Sequence, residues 1–143
     1  MNRDQGDYTV NFTSKGVAHQ VFFNLCSNTN RECKLATETE ADEAFAVVVL
    51  PDGKCHRLTQ DDMDESVASY LDKNVAEAGL SLNYESEENC DDKQNYGFTI
   101  DIKCDEDGEH AIPRVSDDSI SQNDCHPRVY FEHEAGKYLY QIW

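Results

Sequence analysis

Hydrophobic and polar residues alternate in several short runs along the chain. Residues 98–104 have the sequence Phe-Thr-Ile-Asp-Ile-Lys-Cys, and residues 80–84 have the sequence Leu-Ser-Leu-Asn-Tyr. Because successive side chains of a strand point to opposite faces, this alternation predicts strands with one face on a core and one in solvent. The other runs of strand length lie at residues 8–12, 20–26, 45–50, 129–132 and 138–143. The pattern therefore predicts a mainly β fold.

A turn signal joins two of these runs. Pro51-Asp52-Gly53-Lys54 directly follows the apolar residues 45–50. Proline presets φ at the start of a turn, and glycine adopts the positive φ that a later position requires. We therefore predict a hairpin in which residues 45–50 pair with residues 55–58.

Residues 61–78 carry a different pattern. Apolar residues recur there near helical spacing, behind acidic residues that suit a helix N-terminus, and Gly79 would end the helix. Taken alone, this spacing predicts one short helix around residues 62–78. The recurring apolar residues are Met63, Val67, Tyr70, Leu71 and Val75.

Composition and charge narrow the classes of function. The chain has 143 residues, of which 38% are hydrophobic and only 3 are proline, so we expect one folded domain over residues 1–143. Lys and Arg number 12 against 29 Asp and Glu, which gives a formal net charge of -17. This balance excludes a binder of nucleic-acid phosphates and disfavours docking onto anionic membranes.

No apolar run approaches the roughly 18 residues that a membrane helix needs, so we expect no direct membrane insertion within this segment. The N-terminal residues MNRDQGDY lack the apolar stretch of a signal peptide. If the protein is secreted or luminal, its targeting and membrane segments would lie outside these 143 residues.

The cysteine count favours an oxidising compartment. Six cysteines in a small domain predict up to three disulfides in such a compartment. The triplet Asn11-Phe12-Thr13 supports the same location, and it predicts N-glycosylation at Asn11. A cytosolic acidic β-protein with six free thiols remains the alternative. The cysteines are Cys26, Cys33, Cys55, Cys90, Cys104 and Cys125.

Signatures of catalysis are missing from the sequence. It contains no Gly-x-Ser-x-Gly elbow, no phosphate-binding glycine loop and no His-Glu-x-x-His. Cys55-His56 and Cys125-His126 are adjacent pairs, and neighbours in a strand point to opposite faces, so neither histidine can act as the base for its own cysteine. We therefore expect a non-enzymatic protein.

Metal and cofactor motifs are also missing. The cysteine spacings differ from the short Cys-x2-4-Cys pairs that hold zinc. Residues 105–108, Asp-Glu-Asp-Gly, resemble the middle of a calcium loop, but Lys103 and Arg114 then occupy the end positions that require ligands. We expect no metal and no cofactor.

Aromatic side chains provide a candidate recognition surface. Such rings combine an apolar face with a polar tip, so they suit a sugar-stacking or protein-binding patch. Half-buried strand positions are the simpler explanation. The residues concerned are Tyr84, Tyr96, Tyr130, Tyr138, Tyr140 and Trp143.

The segments around the cysteines show a family resemblance. They are residues 21–26 (VFFNLC) followed by Cys33, residues 79–84 (GLSLNY) followed by Cys90, residues 98–104 (FTIDIKC), and Cys125 followed by residues 129–132 (VYFE). In order and spacing, about residues 8–136 resemble the mannose 6-phosphate receptor homology domain. The resemblance implies a flattened β-barrel or sandwich of two antiparallel sheets, and recognition of N-glycans on cargo. It also implies strand or loop at residues 67–71, against the local helix pattern.

The resemblance also implies a disulfide framework. The family pairs the cysteine after the Tyr motif with the one that opens the penultimate strand, which here are Cys90 and Cys125. The family partner of Cys104 is replaced by Gly136-Lys137. A Cys55–Cys104 bond is one substitute, and a Cys26–Cys33 bond would complete the set, among the fifteen pairings that six cysteines allow.

The sugar-binding positions depart from the family pattern. Members that bind mannose use a Gln, an Arg, a Glu and a Tyr, and the matching positions here are Val47 or Val48, Tyr96, Asp117 and Pro127. Asp117 alone keeps the chemistry, while Gln94, Lys93 and Arg128 are nearby polar replacements. The candidate ligand-binding residues are therefore Tyr96, Asp117, Gln94 and Arg128.

Together these observations predict a recognition module of a receptor or sorting protein in the secretory, endosomal or vacuolar lumen or outside the cell. Its partner would be glycoprotein cargo or another protein, and the net charge of -17 disfavours a phosphosugar. The alternative is an assembly domain that has lost glycan binding and contacts another chain through an edge strand or an aromatic patch.

Overall fold

The structure is a computed structural model that describes residues 7–24, 28–33, 44–60, 67–104, 114–115 and 123–133. The described residues form nine strands and no helix. The strands are β1 (Tyr8–Ser14), β2 (Val17–Phe23), β3 (Ala46–Val49), β4 (Cys55–Arg57), β5 (Val67–Asp72), β6 (Val75–Asn89), β7 (Asn95–Cys104), β8 (Arg114–Val115) and β9 (Arg128–His133).

The first sheet has the order β1-β2-β3-β4, and all its neighbours are antiparallel. Lys15 and Gly16 link β1 to β2 with φ values of 50° and 77°, which matches the positive φ of tight hairpin turns. The predicted hairpin at residues 51–54 is confirmed. Gly53 has a φ of 84°, and the Asp52 carboxylate accepts the backbone N–H of Lys54 at 3.0 Å.

The second sheet has the order β5-β6-β7-β9-β8 and is mixed. β7 and β9 run parallel, from Thr99 opposite Arg128 to Cys104 opposite His133, whereas the other pairs are antiparallel. The two sheets are present as expected, but this one pair is parallel where the expectation was antiparallel. Parallel neighbours need a long crossover, and the chain between β7 and β9 provides one that includes β8.

The predicted helix around residues 62–78 is also wrong within the described residues, because β5 and β6 occupy the chain from Val67 onward. Val67 lies opposite Asn83, and Tyr70 lies opposite Leu80. Gly79 does not end a helix, since it continues β6 opposite Lys103. Pairing with β6 overrides the local helical spacing, which is a weak preference by comparison.

The core lies between the two sheets. The cluster of buried residues combines Val21 and Val48 of the first sheet with Ile100 and Val129 of the second. Two aromatic pairs reinforce it. Phe23 and Phe98 have ring centroids 5.3 Å apart, and Phe45 and Tyr84 have centroids 4.5 Å apart with a T-shaped arrangement. The mainly β sandwich is thus confirmed, and the described strands form two open sheets rather than a closed barrel.

Two disulfides connect the described residues. One joins Cys90 to Cys125, as the family resemblance implies, and the other joins Cys33 to Cys55. Cys33 packs with Ala44 and Val47, and Cys55 packs against the same cluster. This packing brings the two cysteines close enough to form the Cys33–Cys55 bond.

The second disulfide corrects two expected pairings. Because Cys33 and Cys55 bond to each other, neither the Cys26–Cys33 nor the Cys55–Cys104 pairing forms. Cys26 lies outside the described residues. The two bonds indicate an oxidising extracellular or luminal environment. Within the described part of the chain, there is no helix with the length and hydrophobicity needed to span a bilayer.

Candidate functional site

A polar cleft of about 490 Å³ opens between the β6–β7 loop and the turn that precedes β9. Its volume falls in the range of small-molecule sites. Lys93 and His126 are its basic side chains, and the rest of its lining consists of carboxylates and amides. These are Glu85, Asn89, Asp91, Asp92, Gln94 and Asn95. We call this feature the polar cleft.

Covalent and hydrogen bonds hold the two walls of the polar cleft together. The disulfide between Cys90 and Cys125 links the β6–β7 loop to the turn before β9. The Asn123 side-chain amide group donates to the Gln94 side-chain carbonyl at 3.0 Å, and Asn123 Oδ1 accepts the backbone N–H of Cys125 at 3.0 Å. The position of Gln94 is therefore set by residues nearly thirty positions away.

The β6–β7 loop is organised around Asp91. Its carboxylate accepts the backbone N–H groups of Lys93 at 2.8 Å and Gln94 at 3.0 Å. The backbone hydrogen bond from Lys93, followed by the side-chain hydrogen bond from Gln94, lowers the pKa of Asp91. Asp91 therefore stays ionised and contributes negative charge to the polar cleft.

The imidazole of His126 packs closely against Gly97 of β7. A Cβ atom on Gly97 would overlap the imidazole Nδ1 and lie 2.8 Å from the carbonyl oxygen of Tyr84. The Thr99 hydroxyl donates to Asn83 Oδ1 at 2.9 Å, and Thr99 Oγ1 lies 2.8 Å from His126 Nε2. Because the single hydroxyl proton goes to Asn83, the imidazole donates from Nε2 to Thr99. Gly97 and Thr99 thus position His126 in the polar cleft.

Burial lowers the pKa of His126 below its ordinary value of 6.5; the Glu85 carboxylate opposes this shift and the Arg128 guanidinium adds to it. The unfolded chain therefore binds a proton at a higher pH than the folded chain does. Stability falls as the pH drops from about 6.5 toward the folded pKa, with a slope of at most about 1.4 kcal/mol per pH unit for one proton.

We expect His126→Gln to flatten this pH dependence, since glutamine retains a donor but does not titrate. Urea unfolding of both proteins between pH 7.5 and 5.5 measures the two slopes. Asp91 and Asp124, whose pKa values are also lowered, titrate below this window. Identical slopes in the two proteins would contradict the assignment.

Arg128 is engaged in an ion pair with Asp101, so its guanidinium group has a structural partner within the protein. Its Nε and NH2 groups donate to the two oxygens of Asp101 at 2.5 and 3.0 Å, and Asp101 is only 6% exposed. The hydrogen bonds that Arg128 donates to Asp101 raise the pKa of Arg128. This bidentate contact joins β9 to β7.

Removing Arg128 should therefore be costly. We expect Arg128→Gln to lower the free energy of unfolding by about 1–3 kcal/mol, because it leaves a buried carboxylate without its cation. Lys15→Gln is the matched control: Lys15 is 85% exposed and lies 3.3 Å from Asp124, and such surface pairs contribute about 0–1 kcal/mol. Urea denaturation measures both losses, and equal losses would refute the structural role of Arg128.

Tyr96 also has structural partners, because its ring packs on other residues of the protein. Its ring stacks on His56 with centroids 4.6 Å apart, and His56 Nδ1 lies 2.6 Å from Glu88 Oε1. Burial, followed by the charge of Glu88, raises the pKa of Tyr96. The stack connects β7 to β4 of the other sheet, and His56 covers one face of the Tyr96 ring.

The candidate ligand residues are therefore dispersed. Gln94 lines the polar cleft, Arg128 pairs with Asp101, Tyr96 packs on the core, and Asp117 lies outside the described residues. Val47 or Val48 and Pro127 stand at the positions that the resemblance matches to the sugar-binding Gln and Tyr. All three are almost fully buried apolar residues, so they offer no polar side chain to a sugar.

The aromatic residues do not form one surface in the described part of the chain. Tyr84 is buried in the core, and the ring of Tyr130 receives Lys103 Nζ at 4.4 Å from its centroid. Tyr138, Tyr140 and Trp143 lie outside the described residues. The strand explanation therefore accounts for Tyr84.

Sequence reasoning missed several residues that build the polar cleft. Asn83, Thr99, Asn123 and His126 carry no motif, and only their contacts reveal them. The position of His126 directly after the expected cysteine of a disulfide was the one available hint. Within the described ranges, no group of three or more His, Cys, Asp or Glu side chains converges as a metal site would require.

Comparison with known proteins identifies no relative of this chain. No protein-family model matches the sequence, and none of the curated proteins matches it. The polar cleft is therefore interpreted from its own geometry and chemistry.

Proposed function

We propose that this chain is a non-enzymatic recognition module of a receptor or sorting protein, and that it binds a neutral glycan of glycoprotein cargo in the polar cleft. Its setting would be the lumen of the secretory, endosomal or vacuolar system, or the cell exterior. The observation that carries the proposal is the cleft itself, whose amide and carboxylate lining is held by a disulfide and by the Asn123–Gln94 hydrogen bond.

The lining suits sugar hydroxyls. Each hydroxyl both donates and accepts hydrogen bonds, and a site that binds sugar must pair these groups because unpaired buried polar groups cost about 1–3 kcal/mol each. Amides such as Gln94 and Asn95 supply donors and acceptors, and carboxylates such as Asp92 supply acceptors. A cleft that is already organised loses little entropy on binding.

Charge favours a neutral sugar over a phosphosugar. Glu85, Asp91 and Asp92 surround the polar cleft, and Lys93 is its one permanent cation among the described lining residues. The lowered pKa of His126 keeps its imidazole neutral near pH 7. A phosphate group would meet net repulsion there and from the chain as a whole, which carries a formal charge of -17. The resemblance to the mannose 6-phosphate receptor homology domain supports glycoprotein cargo.

Calorimetric titration of the oxidised protein with neutral high-mannose glycans tests the proposal. We expect binding, with an affinity about tenfold weaker for Gln94→Ala, which removes one hydrogen-bonding partner. Asn74→Ala is the control, because Asn74 lies in the β5–β6 turn at the opposite end of β6. Mannose 6-phosphate should bind more weakly than mannose at low salt. A failure of the oxidised protein to bind any of these glycans would refute the proposal.

One observation favours a second candidate, a protein-interaction module. β5 is the outer strand of the second sheet as described, and its Tyr70 side chain is 45% exposed. Edge strands offer unpaired backbone groups to an added strand. This candidate predicts a partner that stays bound after enzymatic glycan removal and is lost in Tyr70→Lys. The glycan proposal predicts the reverse on both counts.

A further inference from the structure

Asn11 lies at an exposed edge of the first sheet. It belongs to β1, where it is opposite Gln20 of β2, which is in turn opposite Val49 of β3. Their neighbours Val10, Val21 and Val48 form the adjacent row and belong to the core. Because side chains alternate between the faces of a sheet, Asn11, Gln20 and Val49 point away from the core in one row.

This row borders a groove of about 390 Å³, which we call the outer groove. Asn11 and Gln20 are exposed polar residues at one side of it, while Val49 and Pro51 are apolar residues at the other. A pyranose ring has the same division, with hydroxyl or acetamido groups at its rim and C–H groups on its faces. The outer groove therefore fits a sugar ring in both polarity and size.

The attachment site for such a sugar is part of the groove. Asn11-Phe12-Thr13 is the one Asn-x-Ser/Thr triplet in the chain. Thr13 lies two positions after Asn11 in β1 and lines the same groove, so both residues of the acceptor triplet are on the outer face. The two disulfides indicate an oxidising compartment, and the eukaryotic secretory lumen, where N-glycosylation takes place, is a compartment of this kind.

We propose that Asn11 carries an N-linked glycan whose first sugars lie in the outer groove and contact its lining residues Gln20, Val49 and Pro51. In the transfer, the Asn11 amide nitrogen bonds to the anomeric carbon of an oligosaccharide. The bond from that carbon to the pyrophosphate of a lipid-linked donor breaks, and the amide loses one proton. Neither the site nor the transfer depends on glycan binding in the polar cleft.

The spacing of the strands supports this arrangement. Neighbouring strands are about 4.8 Å apart, so Gln20 lies about 5 Å and Val49 about 10 Å from the attachment strand. The Gln20 amide is close enough to form a hydrogen bond with the first sugar. The apolar residues Val49 and Pro51 are close enough to contact the sugar that follows. Such a glycan also covers β1, which is an outer strand of the first sheet, and shields its edge from pairing with other chains.

Occupancy is tested by secreting the 143-residue chain from a glycosylating eukaryotic cell behind a fused leader. We expect one glycan, seen as a mass that peptide N-glycosidase removes. Asn11→Gln and Thr13→Ala should abolish this mass, and Thr13→Ser should retain it because serine also serves as the acceptor hydroxyl. Secreted, disulfide-bonded protein with an unmodified Asn11 would overturn the proposal.

The position of the glycan is tested by trimming it. An endoglycosidase that leaves only the first sugar on Asn11 should lower the Tm by less than complete removal does, and complete removal should lower the Tm by about 2–4 °C. Gln20→Ala should reduce this difference, whereas Asn74→Ala, at the end of the other sheet, should leave it unchanged. Equal Tm values for the glycosylated and the fully deglycosylated protein would show that the glycan does not lie in the outer groove.

Discussion

Replacing Cys90 and Cys125 together with alanine should lower the free energy of unfolding by about 4 kcal/mol. The bond joins residues 35 positions apart, and a disulfide over a loop of that length removes a corresponding amount of conformational entropy from the unfolded chain. Urea denaturation of the oxidised wild-type protein and the double variant measures the loss. An unchanged transition midpoint would contradict the prediction.

The other disulfide provides the matched control. Cys33 and Cys55 are 22 positions apart, so the same relation gives a loss of about 3 kcal/mol for their replacement by alanine. The two variants should differ more in binding than in stability. Only the Cys90–Cys125 bond joins the walls of the polar cleft, so only its removal should abolish glycan binding by protein that is still folded. Equal loss of glycan binding in both variants would show that the polar cleft is not the glycan-binding site.

Phe98→Ala should destabilise the protein by about 3–5 kcal/mol. The Phe98 side chain is completely buried and lies between the sheets, with its ring centroid 5.3 Å from that of Phe23. Truncation removes apolar contacts and leaves a cavity that two rigid sheets cannot fully close. Chemical and thermal denaturation measure the effect.

Tyr70→Ala is the matched control for this substitution, because it truncates an aromatic residue of the same sheet that is 45% exposed. We expect it to change the free energy of unfolding by no more than about 0.5 kcal/mol. If the two substitutions had similar effects, the core would not lie between the sheets as described.

The predictions from sequence succeeded where the signal was local. The hairpin around Gly53 was predicted because the turn residues and the flanking apolar run act on their own neighbours. Alternation located β7, and Phe98 and Ile100 are buried as it predicts. The predicted solvent face of β7 is wrong, because Thr99 and Asp101 are also buried, being 7% and 6% exposed. These signals require only a few adjacent residues.

The helix prediction failed because local spacing competed with a distant partner. Tyr70 and Val75 belong to a set of apolar residues that recur near helical spacing, but both are exposed, Tyr70 on the outer strand β5 and Val75 at the start of β6. The pairing of β5 with β6 satisfies the backbone of both strands. A helix over the same residues would leave β6, which also pairs with β7, without its outer neighbour.

The candidate site was only partly predicted. Gln94 was named from the family resemblance, and it does line the polar cleft. Arg128 and Tyr96 were named on the same grounds, but the ion pair with Asp101 and the stack on His56 give them structural partners. Those partners lie 27 and 40 positions away in sequence, beyond the range of any local pattern.

The sequence by itself determined the mainly β class, the acidic surface and one hairpin, because composition and neighbouring side chains act over a few residues. The tertiary structure alone decided the parallel pairing of β7 with β9, the Cys33–Cys55 bond and the polar cleft. In each case two segments that are distant in sequence must meet. Their backbone groups, cysteines or polar side chains can pair only after the sheets have formed. His126 donates to Thr99 because the β7–β9 register brings the turn before β9 over Gly97, and no residue near His126 in sequence specifies that contact.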